Sequence, residues 1–404
     1  MMSMTQAILS RSSLSGVLRS LLVAELRAAR GAGGTLPAIA GQALWPDDLA
    51  LGHGGLDCDS LEKLSLGAAA NEMFCLYEAG TEANLLSADH FGDWLDIIEA
   101  AWRGGVSRIT VTTSGSSGRP KRCTHSVGHL AAEIDGLAAR WADRGRIVAL
   151  VPLHHIYGLL FCAMLPDRLG VPVLSAERSG VGALAAAFGP GDLVVSFPDR
   201  WAFLQRSLPA WPSDVWGVTS TAPCPPALNA ALRGAGLAGL TEVYGSSETA
   251  GIAFRDDPDA SYRLMPQWAF AEPFDSEAPI LMHRSGEDVA LMDRIVRSGP
   301  DAFVLAGRRD GMVQVGGINV SPTDVAKRLR ERPGVSHAAV RLMRPDEGTR
   351  LKAYLVPEPG VDPETLRLAV ESWAAQTLSA AERPTVLTVG PALPTSTLGK
   401  PGGW

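Results

Sequence analysis

The stretch ITVTTSGSSGRPK, residues 109–121, decides how the rest of the chain is read. It opens on the β-branched run Ile109, Thr110, Val111, Thr112 and Thr113, which predicts a strand. Ser114, Gly115, Ser116, Ser117 and Gly118 then predict a tight turn, closed by Arg119, Pro120 and Lys121. Glycines let the backbone come close to a ligand. Hydroxyls and free backbone N–H groups offer donors to phosphate oxygens, and a lysine adds a point charge. Glycines, hydroxyls and a closing Pro-Lys in this order favour a phosphate cradle over a plain surface turn. The Gly-Lys-Ser/Thr ending of a Walker loop is missing.

Working outward, the 404 residues argue for two or three domains. A composition of 46% hydrophobic and 20% charged residues is ordinary for a soluble chain with an ample core. No apolar run reaches the length of a membrane span, and the N-terminal MMSMTQAILSRSS lacks the apolar core of a signal peptide. The expectation is a cytoplasmic protein. The cysteines (Cys58, Cys75, Cys123, Cys162 and Cys224) are scattered, without metal-ligand spacing and odd in number, which argues against a disulfide framework. No basic stripe with interleaved aromatics suggests nucleic-acid binding. The net charge of -7 is unevenly placed. Residues 44–102 hold twelve Asp/Glu against one Lys, a local balance of -11 that leaves +4 on the remainder. Such asymmetry predicts a separate acidic module.

Residues 14–30 have helical periodicity and stop at Gly31. Asp59-Ser60-Leu61-Glu62 predicts a second helix start, as a capping box. Phe91, Trp94, Leu95, Ile98 and Trp102 make one apolar stripe on a third helix. After the phosphate loop, residues 125–141 read as helical. Apolar strands follow at 147–153 and 193–197, and the segments 216–226 and 240–251 each read as a strand running into a loop. Strands alternating with helices predict a layered α/β domain with a largely parallel sheet, whose ligands bind beyond the carboxyl ends of the strands. Ser321-Pro322 starts a helix within a small α+β module that runs to the end of the chain.

The acidic front resembles an acyl or peptidyl carrier protein. Asp59, Ser60 and Leu61 match that family's Asp-Ser-Leu, and Phe74 matches its closing aromatic. The resemblance implies that Ser60 carries phosphopantetheine, placed there by a phosphopantetheinyl transferase. A structural front, with Ser60 as a plain first-turn residue, is the alternative.

The remainder resembles the adenylate-forming superfamily of acyl- and aryl-CoA ligases, luciferase and peptide-synthetase adenylation domains. Thr113 to Gly118 with Lys121 match its phosphate loop, and Tyr244-Gly245-Ser246-Ser247-Glu248-Thr249 its second nucleotide motif. The resemblance implies that Tyr244 stacks near adenine, Ser246 reaches the α-phosphate region and Glu248 binds Mg²⁺. Ser220, Thr221, Ala222 and Pro223 match the adenine-side loop, and Asp293 and Arg308 the ribose contacts. Asp310 matches the hinge. Lys400, in LPTSTLGK, matches the lysine that would bridge the attacking carboxylate and the α-phosphate. VPLHHIYG matches the acid-pocket segment, with His155 near the carboxylate, Tyr157 on a ring hydroxyl and Gly245 alongside; His155-Ile156-Tyr157 is similar to hydroxycinnamate–CoA ligases.

The expected architecture is α/β: a carrier-like helical segment (1–103), a compact adenylation core (104–307) and a mobile α+β lid (308–404). The implied reaction is ATP-dependent adenylation of a hydrophobic or aromatic carboxylic acid, then transfer to a pantetheine thiol on an acyl carrier protein, Ser60 among the acceptors. An ordinary acyl/aryl-CoA ligase and a non-catalytic scaffold are the rivals. No aspartate stands where amino-acid-activating domains pair the α-amino group.

Overall fold

The computed structural model describes residues 8–31, 34–113, 121–344 and 346–393. Among these, two compact units form, one drawn from the described residues of 8–113, 121–269 and 282–289, the other from those of 270–281 and 290–393.

The first unit opens with α1 (Arg11–Arg30), capped by the Ser10 hydroxyl and stopped at Gly31, φ 66°. It buries Leu14, Val17, Leu18 and Leu22. Next come α2 (Ser60–Phe74), α3 (Glu82–Ser87) and α4 (Phe91–Arg103). Asp59 and Glu62 form the expected capping box on α2. The α4 stripe of Phe91, Trp94, Leu95 and Ile98 is wholly buried. The acidity of this region is answered by arginines outside it. Arg11 pairs with Asp47, Asp96 and Glu99, and Arg30 with Glu62. Arg108 pairs with Glu78, and Arg122 with Glu72. Arginines within the same folded unit thus answer part of this acidity, and the region keeps an excess of negative charge.

Strands β1 (Arg108–Thr113) and β2 (Lys121–Ser126) pair antiparallel, with Thr113 opposite Lys121. His125 and Ser126 thus end a strand, and α5 begins later than the periodicity predicts, at Val127–Arg140. The main sheet contains β3 (Arg146–Ala149), β4 (Val173–Ser175), β5 (Asp192–Ser196), β6 (Trp216–Thr219), β7 (Gly239–Ser246), β8 (Ala250–Arg255) and β9 (Tyr262–Leu264). Their order is β9-β8-β7-β6-β5-β3-β4. From β7 to β4 the neighbours are parallel, and β8 and β9 run antiparallel. Helices α6 (Ile156–Leu159), α7 (Leu165–Leu169), α8 (Val181–Ala187), α9 (Pro198–Ser207) and α10 (Pro226–Gly234) complete the layers. A core of Val148, Val194, Trp201, Leu204, Leu232 and Leu240 packs one side of the sheet. The chain passes between the units through β10 (Trp268–Phe270), β11 (Ile280–His283) and β12 (Asp288–Ala290).

The second unit holds the hairpin of β13 (Asp293–Arg297) and β14 (Ala302–Arg308), then the hairpin of β15 (Val313–Val315) and β16 (Ile318–Val320). Helix α11 (Pro322–Arg330), β17 (Val335–Leu342), β18 (Leu351–Pro357), α12 (Pro363–Thr377) and β19 (Val386–Val389) follow. Their core is Val325, Leu329, Val335, Leu351, Leu355 and Leu366. The whole is the mixed α/β class expected, with a helical front and a small β-containing end.

Candidate active site

The segments that follow β1, β3 and β6, and the end of β7 with its turn, carry the motif residues of the first unit. Ser114–Pro120 of the phosphate loop and Lys400 lie outside the described residues. The stems of that loop are defined by the Thr113–Lys121 register. Lys121 Nζ stands 2.5 Å from Glu248 Oε1, so the phosphate-binding charge and the proposed metal carboxylate meet. Burial alone would raise the Glu248 pKa, but the hydrogen bonds from Lys121, its own amide and Ser246 outweigh it and hold the carboxyl below its ordinary value. The same contact raises the Lys121 pKa.

The turn bearing Glu248 is held from both ends. The Ser246 hydroxyl accepts from the amides of Glu248 (3.2 Å) and Thr249 (3.3 Å), and the Thr249 hydroxyl accepts from the Ser246 amide (3.0 Å). His125 Nε2 bonds the Ser247 carbonyl at 2.7 Å. The Gly251 amide donates to the carboxyl of Glu133, at 3.0 Å to Oε2. Trp268 Nε1 donates to the Gly251 carbonyl at 2.8 Å. A Cβ at Gly251 would stand 2.3 Å from Glu133 Oε1, and one at Gly245 2.1 Å from the Ala250 carbonyl oxygen. Gly245 therefore admits no side chain, and one at Gly251 would have to displace the Glu133 carboxyl. Glu133 is buried, and burial pushes its pKa up to about 8. Beside Glu248 lies a cavity of about 120 Å³ lined by His125, His129, Glu133, Gln267 and His283 among others.

On the acid side, Pro152-Leu153-His154-His155 leads from β3 into α6. A Cβ at Gly158 would sit 1.9 Å from the Pro152 carbonyl oxygen. That contact is the physical reason a glycine follows His155 by three residues. His155 shares a hydrogen bond with the backbone of Thr112, beside the start of the phosphate loop, and burial keeps its pKa below the ordinary imidazole value. The Ser20 hydroxyl of α1 accepts from the Leu153 amide at 3.0 Å and shares a second hydrogen bond with His154 Nδ1 at 2.8 Å. Tyr157 is buried and its hydroxyl donates to the Ser196 carbonyl at 3.0 Å.

In the adenine-side loop the Ser220 hydroxyl donates to the Val243 carbonyl at 2.9 Å, which joins that loop to the strand leading to Tyr244. Thr221 sits at φ 76°, a conformation a β-branched residue adopts only under strain. In the second unit, Asp293 and Arg308 are directly opposed across β13 and β14. The Arg308 guanidinium grips Asp310 with both carboxylate oxygens, at 2.9 and 2.6 Å, and holds the Asp310 carboxyl below its ordinary pKa. Gly316 and Gly317, both at positive φ, turn β15 into β16. Ser60 is exposed at the first residue of α2. His125, Glu133, Trp268 and Glu242 escape the sequence reading. Glu133 shares a helix face with Leu130, Ile134 and Leu137, and an acid on a buried stripe is the signal that could have found it.

Residues 109–272 match the AMP-binding enzyme family. The 4-coumarate–CoA ligase of Halorhodospira halophila is 37% identical over 95% of this chain and 97% of its own length. The chain belongs to this adenylate-forming family. It is an ATP-dependent acyl-adenylate-forming ligase. The 4-coumarate–CoA ligase of Rhodobacter capsulatus is 34% identical over 96% of this chain and 100% of its own. The fold is also that of a solved o-succinylbenzoate–CoA synthetase from Bacillus subtilis, with a TM-score of 0.56 at 18% identity over 72% of this chain and 67% of that one. Since 95% of this chain aligns, most of residues 1–103 is shared with a relative named as a CoA ligase. That fits a structural front better than a carrier module.

Proposed function

We propose that this ligase activates a hydroxycinnamate-type aromatic acid and passes the acyl group to the thiol of CoA. The observation that carries the proposal is the near end-to-end match to two 4-coumarate–CoA ligases. The run His155-Ile156-Tyr157 supports it. Tyr157 commits its proton to Ser196, so toward a substrate it offers only a lone pair, suited to accept from a phenol. His155, whose pKa desolvation holds below the ordinary imidazole value, lies beside the phosphate-loop stem and would orient the acid carboxylate.

Residues 104–307 would form the adenylation core and 308–404 a lid that turns at Asp310, with 1–103 a helical front. Lys121 would leave Glu248 for the phosphate oxygens of ATP. Glu248, ionised and half-buried, fits a Mg²⁺ held by one protein carboxylate and the nucleotide's own phosphates. Among the described residues no three His, Cys, Asp or Glu side chains are arranged to hold a metal by themselves. When bound, the ion would neutralise phosphate charge. Tyr244 and the Ser220–Pro223 loop would seat the adenine, and Asp293 with Arg308 the ribose. The acid's carboxylate oxygen then attacks the α-phosphorus and pyrophosphate leaves. Lys400 would stabilise the charge that builds there. Lid rotation presents the Gly316-Gly317 turn, and the CoA thiolate displaces AMP to form the thioester.

The test is pyrophosphate exchange with 4-coumarate, cinnamate and octanoate, followed by CoA-thioester formation in the wild type and Ser60→Ala. The order 4-coumarate, cinnamate, octanoate, with thioester formation intact in the variant, is expected. Exchange with no aryl acid would overturn the proposal. A second reading, with Ser60 as carrier of phosphopantetheine, is favoured by its exposure next to Leu61, which is 74% exposed. It requires a pantetheine mass gain lost in Ser60→Ala, followed by an acyl gain.

A further inference from the structure

Glu242 lies on β7, two residues before Tyr244, with its side chain 6% exposed. Its oxygens are shared between separate parts of the unit. Oε1 accepts from the amide of Cys224, directly after the Ser220–Pro223 loop, at 2.9 Å. Oε2 accepts from Arg255 Nε at 2.9 Å and Nη2 at 2.8 Å. Arg255 is the residue opposite Glu242 across β7 and β8. Its guanidinium lies 4.5 Å from the centre of the Tyr262 ring. The Tyr262 ring in turn stands 5.8 Å from that of Tyr244. Ser220, one end of the loop, is already tied to Val243.

We infer that Glu242 is a positioning residue for the nucleotide, binding the Ser220–Pro223 loop and, through Arg255 and Tyr262, the Tyr244 ring into one adenine seat. The inference rests on the reading of those two loops as the adenine site. A buried ion pair is a poor way to gain stability, because desolvation offsets the attraction and apolar replacements are often as stable. An apolar pair would also leave the Cys224 amide without its acceptor. The carboxylate is the one group here that joins a loop amide on one side to a cross-strand guanidinium on the other. An oriented seat binds adenine without the entropy loss of ordering two loops separately.

The experiment compares the wild type with Glu242→Gln and Arg255→Lys, by pyrophosphate exchange and by calorimetric AMP binding. Glutamine cannot accept from both partners with the same oxygens, so one donor is orphaned. The expected result for Glu242→Gln is an ATP KM raised about tenfold, with AMP affinity weakened in parallel. The KM for the acid and kcat should stay within about threefold. Arg255→Lys keeps the charge and the Cys224 contact but loses the fork. It should give a smaller rise confined to ATP, and it keeps the test open if the glutamine variant does not fold. If the KM values for ATP and acid rise together, or neither moves in either variant, Glu242 has only a general structural part and the inference fails. A wild type that binds AMP but exchanges with no aryl acid would instead sink the proposed substrate class and leave the calorimetric arm valid.

Discussion

Two regions of this ligase that the proposed function assigns to the nucleotide are tied down in opposite ways. The hairpin from Tyr244 to Gly251 is held by groups distant in sequence: Glu133 on Gly251, His125 on Ser247 and Trp268 on Gly251. Arg308 and Asp310 are two residues apart and hold each other. Long-range hydrogen bonds to buried groups fix a loop against the body of a domain. A local pair travels with its own segment. The contrast separates a preformed surface, where electrostatic stabilisation needs fixed dipoles, from a segment suited to turning.

Removing the lysine assigned to the lid should break the contrast most severely. Lys400→Ala is expected to lower pyrophosphate exchange at least about a hundredfold, while thioester formation from a supplied acyl-adenylate survives; full exchange in the variant would end that assignment. Asp310→Ala removes the carboxylate that Arg308 grips and should slow the thioester half about tenfold while exchange falls less. Single-turnover rates for each half would show it, and equal losses would argue against a hinge.

On the fixed side, Glu133→Gln should act through pH. The folded carboxyl has its pKa pushed up to about 8, from an ordinary 4.5. Between those values the native state holds a proton that the unfolded chain has lost. Wild-type stability should therefore fall as pH rises from 5 to 8, by up to about 1.4 kcal/mol per pH unit from this group. The glutamine variant lacks that slope, so its advantage in chemical denaturation should grow across the window and level off above it. The smallest effect is expected at Thr221→Gly, which relieves the left-handed strain and should add about 1 kcal/mol of stability.

Much of the site was legible because its motifs are local. The strand-to-loop change at Thr113, the Pro152…Gly158 spacing and the capping box at Asp59 each come from residues within one turn or loop. The hairpin of β13 and β14 was not legible. Its DRIVR strand buries Ile295 but leaves Val296 52% exposed, so apolar alternation does not mark it clearly. Glu133 and Glu242 escaped because an acid's partners, Gly251 and Cys224, stand 118 and 18 residues away. The acidic run misled for the same reason: Arg11, Arg30, Arg108 and Arg122 answer it only once the chain is folded.

Ser20 hydrogen-bonds His154 at Nδ1, and the rings of His154 and His155 lie 4.3 Å apart. If this pair lines the acid pocket as proposed, a contact that holds it comes from some 130 residues upstream of the pocket motif. A directed-evolution library confined to the motif loops would never sample it. Helix α1 is a place to retune selectivity that a motif-guided engineer would have trimmed away.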